Sequence, residues 1–291
     1  MAGPTPPISQ WPRPTLLERM EWHLARFASL AWAIDVAVHT PRRLVEVERW
    51  KRRQTPTALS RFERRVYSQD GEDGAIAEIF TRIGDGNRFS VELGIGDGRE
   101  CCTRNLLQHH QWCGVLVEAD ETAADHARQL YRHLPGVRIL PRCVTAENVL
   151  SVLEAAGVPQ SPDLLVIDID GNDYWVWERI LSAYQPRVTV IEYNARWRPP
   201  REWVMPYAPD HCWRGTAYFS ASLSSLAKLG ARSGHLLVGC SSNGVNAYFV
   251  RADLVDDRFP DHSRGASFLY APPRYSRGYG HPLRERSPIT G

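Results

Sequence analysis

Between residues 66 and 251 the chain alternates short apolar stretches with amphipathic ones, and the pattern ends in two apolar stretches that almost touch. The segments "RFSVELG", "CGVLVEAD", "VRILPRCV", "DLLVIDID" and "RVTVIEYN" have the length and β-branched content of strands. "RECCTRNLLQHH", "ETAADHARQLYRHL", "TAENVLSVLEAAG" and "DYWVWERILSAY" lie between them and read as helices. "GEDGAIAEIFTRIG" precedes the first strand and "SASLSSLAKLGARSG" follows the fifth. Alternation of this kind calls for a parallel sheet covered on both faces. "HLLVGCS" and "VNAYFVRAD" are separated only by the turn signal "SNG", far too short for a parallel crossover, so that pair is antiparallel. The expected fold class is α/β, a mostly parallel seven-stranded sheet with a terminal antiparallel hairpin.

Ahead of this region, "TLLERMEWHLARFASLAWAIDVAV" repeats apolar residues every three or four positions, and Thr15 with Glu18 forms a capping-box signature. "PRRLVEVERWKRR" predicts a second helix. Residues 1–60 are therefore expected to form an N-terminal helical extension, 61–253 the ligand-binding domain, and 254–291, rich in Pro, Arg, Gly and Tyr, an irregular tail. Arg42, Arg43, Arg49, Lys51, Arg52 and Arg53 cluster, but Glu46 and Glu48 interrupt them. This favours a solvated basic face on a covering or homodimerisation element over a membrane-binding helix.

The turn after the first strand, "VELGIGDG", carries Gly94, Gly96 and Gly98 between strand and helix. Glycine there lets the backbone come close to a ligand. The spacing G-x-G-x-G lacks the third glycine of a dinucleotide fingerprint, whose place is taken by Arg99, and there is no Gly-Lys-Ser/Thr of a Walker loop. Glu92, two residues before the first glycine, suits a cationic ligand and disfavours a pyrophosphate. Glu118, at the end of the next strand, is placed to accept hydrogen bonds from ribose hydroxyls, with Asp120 as a competitor. A ligand with a ribose, a positive charge and no phosphate is S-adenosyl-L-methionine.

"ELGIGDG" resembles the E-x-G-x-G-x-G motif of class I methyltransferases, and the order of elements is similar to their Rossmann-like fold. "YSQDGEDGAI", "LLVIDIDGNDYWVWERI", "VTVIEYNA" and "GVNAYFVR" together resemble the FkbM-like branch over roughly residues 65–252. One departure is Asp168-Ile169-Asp170-Gly171, where that branch carries Asp-x-Glu-Gly. The resemblance implies O-methylation of a small molecule, a natural product or a sugar. It also implies that the loop before the first helix touches the cofactor, through Gln69, Glu72 or Asp73. Val144 and Thr145, after the third strand, would lie beside the adenine.

The fourth and fifth strand ends carry Asp168, Asp170, Asp173, Glu192 and Asn194. Carboxylates gathered on one rim repel unless a cation or protons intervene, and an all-oxygen set suits Mg²⁺ or Ca²⁺. Asp168, Asp170, Glu192 and Asn194 are the candidate metal ligands. The resemblance makes a metal in this region relevant. The competing reading is hydrogen bonding without metal, with Asp173 acting as a helix cap. Methyl transfer to a hydroxyl needs alignment and a base. Asp168 and Asp170 are candidates, as is His211 in "VMPYAPDHCWRG". The long loop 195–217 is a natural wall for an acceptor pocket, and Arg196, Arg198 and Arg201 could receive an anionic acceptor. Two other readings stay open: an NAD-linked oxidoreductase on a Rossmann scaffold, and a non-catalytic S-adenosylmethionine-binding interaction module.

A formal net charge of +2 over 291 residues gives no electrostatic case for nucleic acid. No apolar run is long enough to span a bilayer, since "FASLAWAIDVAVH" is short and broken by Asp35. The N-terminus has no basic-then-apolar signal pattern. Six cysteines without a CxxC pair read as reduced and mostly buried, which implies a cytoplasmic protein.

Overall fold

A computed structural model describes residues 45–213 and 218–274. The predicted helix at 15–37, with its capping box, and the basic pair Arg42 and Arg43 lie outside the described residues. The second predicted helix is present as α1, residues 45–53. Its Trp50 is buried in the core, with the Arg274 guanidinium 4.7 Å from the ring centroid. The end of the extension is thus fastened to the body of the protein by burial and a cation–π contact.

The elements then run α2 (Glu72–Ile83), β1 (Phe89–Leu93), α3 (Arg104–His109), β2 (Cys113–Glu118), α4 (Glu121–Tyr131), β3 (Val137–Pro141), α5 (Val149–Ala155), β4 (Leu164–Ile167), α6 (Asp173–Leu181), β5 (Val188–Glu192), α7 (Leu223–Arg232), β6 (His235–Cys240) and β7 (Asn246–Arg251). Short 3₁₀ turns and α8 (Ala266–Leu269) follow, and Phe259, Tyr270 and Ala271 are buried. The seven strands are ordered β3-β2-β1-β4-β5-β7-β6. All pairs are parallel except β5–β7 and β6–β7. This is the expected α/β architecture, Rossmann-like, with a mostly parallel sheet and a terminal antiparallel hairpin. Because the chain goes from β1 outward to β3 and returns to β4, the switch point lies between the carboxyl ends of β1 and β4.

Side chains alternate across the strands, so each strand feeds two cores. Val91, Leu93, Val115, Leu165 and Ile167 pack against α5, α6 and α7. Leu116, Leu164, Val166, Val188 and Val190 pack against α2, α3 and α4. The register sets Glu92 opposite Leu116 and Val166, which places its side chain on the α2–α4 face. Two helices start on side-chain caps: the Asp120 carboxylate accepts from Ala123 N at 2.7 Å, and Ser222 Oγ from Ser225 N at 3.2 Å.

The latest starts relative to the sequence pattern are those of α3 and α5. α3 starts at Arg104 rather than Arg99, because the amides of Cys102 and Thr103 turn toward Glu92. α5 starts at Val149 rather than Thr145, where Thr145 N donates to Asn148 Oδ1 at 2.9 Å. The cysteines depart from expectation too. Cys101 and Cys240 are buried and Cys102 partly so, but Cys113, Cys143 and Cys212 are exposed. Each of these three sits at a strand start or in a loop, where the side chain does not enter either core. No described helix is long and apolar enough to cross a membrane.

Glu63, just before α2, is mostly buried and accepts from Ser242 N at 2.6 Å, and burial pushes its carboxyl up to about 7. The native state therefore holds a proton that the unfolded chain releases near pH 4.5. The stabilisation from this group is complete below that value and is lost as pH rises through about 7. Glu63→Gln keeps an acceptor for Ser242. In urea unfolding between pH 5 and 7 it is expected to gain on the wild type by up to ~1.4 kcal/mol per pH unit. Parallel pH profiles for the two proteins would contradict this.

Candidate cofactor and active site

The three glycines after β1 are required for three different reasons. Gly94 has φ +83°, and a Cβ there would stand 1.7 Å from the Asp168 carbonyl oxygen, so the β1 and β4 ends meet backbone to backbone. Gly96 has φ +53° and nothing within 4 Å of a Cβ position, leaving its backbone open to a ligand. Gly98 serves packing: a Cβ would meet Tyr131 at 2.9 Å and Ala127 at 3.0 Å on α4.

A cavity of about 490 Å³ opens outside the carboxyl ends of β1 and β4, lined by Gly94, Gly96 and their surroundings. Its charged lining consists of Glu72, Glu92, Glu100, Asp168 and Asp170, with no Lys, Arg or His among the described lining residues. Gln69, Trp213 and Asn246 supply neutral polar and aromatic surface. The structure thus brings Gln69, Glu92, Gly94, Gly96, Asp168 and Asp170 to one place. Gly98, Glu118, Val144, Glu192, Asn194 and His211 lie outside this lining.

Glu92 is 4 % exposed, and burial raises its carboxyl above the usual range. It accepts from Cys102 N at 2.9 Å, Thr103 N at 3.0 Å and Thr103 Oγ1 at 2.5 Å. A carboxylate at this depth is therefore compensated within the protein, by the start of α3. Glu118 accepts from Gly96 N at 2.7 Å and Asp120 N at 2.9 Å, one hydrogen bond away from the open turn. Asp120 caps α4 through its own carboxylate. Asp73 gathers the amides of Val66, Tyr67 and Ser68 and the Ser68 hydroxyl on one oxygen, which makes it the organiser of the preceding loop. Val144 packs against the α5–α7 core, and Thr145 belongs to the turn before α5.

Beyond β4, Asp173 fixes the turn that presents two other acids. Its oxygens accept from Ile169 N and Gly171 N, both at 2.9 Å, and burial lifts its carboxyl to about 6. Asp170 is held at φ +55°, a region Asp tolerates better than most residues. One carboxylate oxygen from each of Asp168, Asp170 and Glu192 lies within 4.8 Å of the others. Glu192 is fully buried, and burial, then Asp173 and Asp170, push its carboxyl well up. The Asn194 amide reaches along the chain instead, donating to Phe219 O at 3.1 Å and accepting from Arg196 N at 3.2 Å.

The long loop after β5 is tied down by a bridge between Val204 and Ala221. His211 packs on Gly171, where a Cβ would meet its Cδ2 at 2.4 Å. Two of the three arginines expected to receive an anion are engaged elsewhere. Arg198 pairs with Glu46, and Arg201 lies 4.3 Å above Trp197. Arg198 lines a second cavity with Arg49, Arg52 and Arg53 of α1. Trp213 and Asn246 also line the cavity, beyond the residues expected from the sequence. An Asn inside the strand run "VNAYFV" is a signal, because Asn is depleted in strands, whereas nothing marks Trp213 apart from the other tryptophans of its loop.

Neither a family model nor a curated relative matches the sequence. Among solved structures, the chain is similar to a SAM-dependent methyltransferase from Aquifex aeolicus at 10% identity, covering 70% of this chain and 98% of that one, with a TM-score of 0.37. The mitomycin 7-O-methyltransferase MmcR shares 20% identity over 62% of this chain and 55% of its own, at TM-score 0.36. An S-adenosylmethionine-dependent methyltransferase from Clostridium acetobutylicum ATCC 824 shares 11% identity over 60% and 88% respectively, at TM-score 0.38.

Proposed function

We propose that the chain is an S-adenosylmethionine-dependent methyltransferase acting on a hydroxyl of a small molecule, with the FkbM-like branch as its kin. The observation that carries this reading is the cavity at the switch point, with an open glycine turn, five carboxylates and no cationic side chain among its described lining residues. A nucleotide pyrophosphate in that place would face repulsion from every charged group, which disfavours the oxidoreductase alternative. A sulfonium nucleoside with an ammonium group is matched to the same field. Glu118 stands by the Gly96 turn to meet the ribose, with Val144 toward the adenine side.

S-adenosylmethionine brings a methyl group already activated on sulfur. The protein's share is to hold an acceptor hydroxyl in line, keep water out and take a proton. Asp168 and Asp170 line the cavity and are the groups placed to take that proton. His211, packed on Gly171, is the less favoured base. With Glu192, the two aspartates also offer three hard oxygen donors close enough to hold Mg²⁺ or Ca²⁺, whose chemistry would be to lower the pKa of the acceptor hydroxyl. Asn194 is left out of this ligand set, because its amide is committed to the loop backbone.

Calorimetry with S-adenosylhomocysteine and with NAD⁺ tests the assignment. Binding of the first in the micromolar range and none of the second is expected. The reverse would move the chain to the oxidoreductases. Transfer of a labelled methyl group to a metabolite extract, abolished by Asp168→Asn, would set an enzyme apart from a binding module.

A further inference from the structure

Asn246 opens β7, and because β7 runs antiparallel to β5, its first residue stands beside Glu192 at the carboxyl edge of the sheet. The side chain is 5 % exposed and lines the glycine-turn cavity. Both backbone groups are spoken for: Asn246 N donates to Ser241 Oγ at 2.8 Å, and its carbonyl accepts from Ser241 N at 2.8 Å. The side-chain amide has one partner. Nδ2 donates to Glu72 Oε1 at 3.2 Å, while Oδ1 is buried without a hydrogen bond. The orientation of the amide is dictated by Glu72, since turning it over would set two oxygens against each other.

A buried carbonyl oxygen left bare is unfavourable unless a ligand supplies the missing donor. Glu72, itself nearly buried, accepts from Asp70 N at 3.1 Å through its other oxygen and lines the same cavity. The pair therefore presents an amide oxygen and a negative charge to whatever enters. Glu92 faces the cavity too, but its oxygens already receive three hydrogen bonds from Cys102 and Thr103.

We infer that Asn246 Oδ1 and Glu72 together hold the α-ammonium group of the cofactor's amino-acid end. Asn246 is thus a specificity-determining residue of the donor subsite, contributed by the last strand of the chain to enter the sheet. The inference rests on the S-adenosylmethionine reading. It explains why an amide sits where a strand would favour an apolar or β-branched residue. It also assigns the ammonium to the α2–β7 side of the cavity, away from the acid beside the glycines.

The test compares S-adenosylhomocysteine with its des-amino analogue, in which hydrogen replaces the ammonium, by calorimetry on the full chain. The wild type is expected to bind the first at least tenfold more tightly. Asn246→Leu is expected to lose most of that ratio while binding the des-amino analogue as the wild type does, which also shows that the variant folds. If Asn246→Leu weakens both ligands equally, or leaves both unchanged, the assignment is overturned. If the leucine variant does not fold, Glu72→Gln serves instead: a loss selective for the amino ligand supports the clamp, and an equal loss or none overturns it. Failure of the wild type to bind either nucleoside would instead remove the cofactor reading beneath it.

Discussion

Gly94→Ala is expected to lower affinity for S-adenosylhomocysteine by at least 100-fold and to destabilise the fold at the same time. The added methyl would lie 1.7 Å from the Asp168 carbonyl oxygen, well inside contact distance, at a backbone φ of +83° that alanine avoids. Asp168 cannot step aside, because its own N–H donates to Leu93 O at 3.0 Å and Gly94 N donates to Val117 O at 2.9 Å. Relief requires the β1 and β4 ends to part, and that seam is where the cavity opens. Gly96→Ala is the matched control: with nothing within 4 Å of its Cβ position, its folding cost is the φ penalty of about 1–2 kcal/mol. Calorimetry and urea unfolding on the two variants check this. Equal behaviour of the two would refute the steric argument.

Asp163→Ala should remove about 3–5 kcal/mol of stability while the folded fraction keeps wild-type affinity for S-adenosylhomocysteine. Asp163 is 0 % exposed and sits just before β4, at the edge of the sheet opposite the cavity. It accepts from Gly86 N at 2.7 Å, Arg88 N at 2.8 Å and Arg187 Nη1 at 2.8 Å. Truncation leaves two amides and a guanidinium, whose side chain is only 14% exposed, without their acceptor. It also frees the turn at Arg88, which is held at φ +53°. Asp163→Asn, which keeps one acceptor, should lose less. A loss below about 1 kcal/mol for the alanine variant in urea unfolding would be incompatible with this picture.

The sheet was legible in the sequence because its strands are either fully apolar, such as "LLVI", or bounded by clear turn signals, and the short spacing between the last two forced an antiparallel pair. The glycine turn and the acids at 168–170 were legible for a related reason: each is a local signal within a few residues. What escaped was anything that depends on where a distant segment comes to rest. The spacing shows Glu92 beside the glycines, but not that the turn ten residues later delivers two amides and a hydroxyl to it. Nor does spacing show that the loop at 66–68 folds around Asp73. Asn246 and Trp213 belong to the cavity only through the placement of β7 and the path of the loop after β5, and neither leaves a trace in spacing. The exposed cysteines depart from expectation because Cys113 stands at the first position of β2, Cys143 lies beyond the end of β3 and Cys212 sits in the loop after β5.

The cavity draws its walls from the turn at 94–96, from 69–72, from 168–170 and from the first residue of β7, so its occupant touches both halves of the sheet at once. A molecule bound there acts as a clasp between pieces of chain far apart in sequence. Its binding energy would add to the cooperative unfolding of the whole sheet, not to one local opening. Amide hydrogens in β1, β4 and β7 should then slow their exchange together on ligand addition, with helices remote from the cavity gaining protection to the same degree wherever they exchange only through global unfolding.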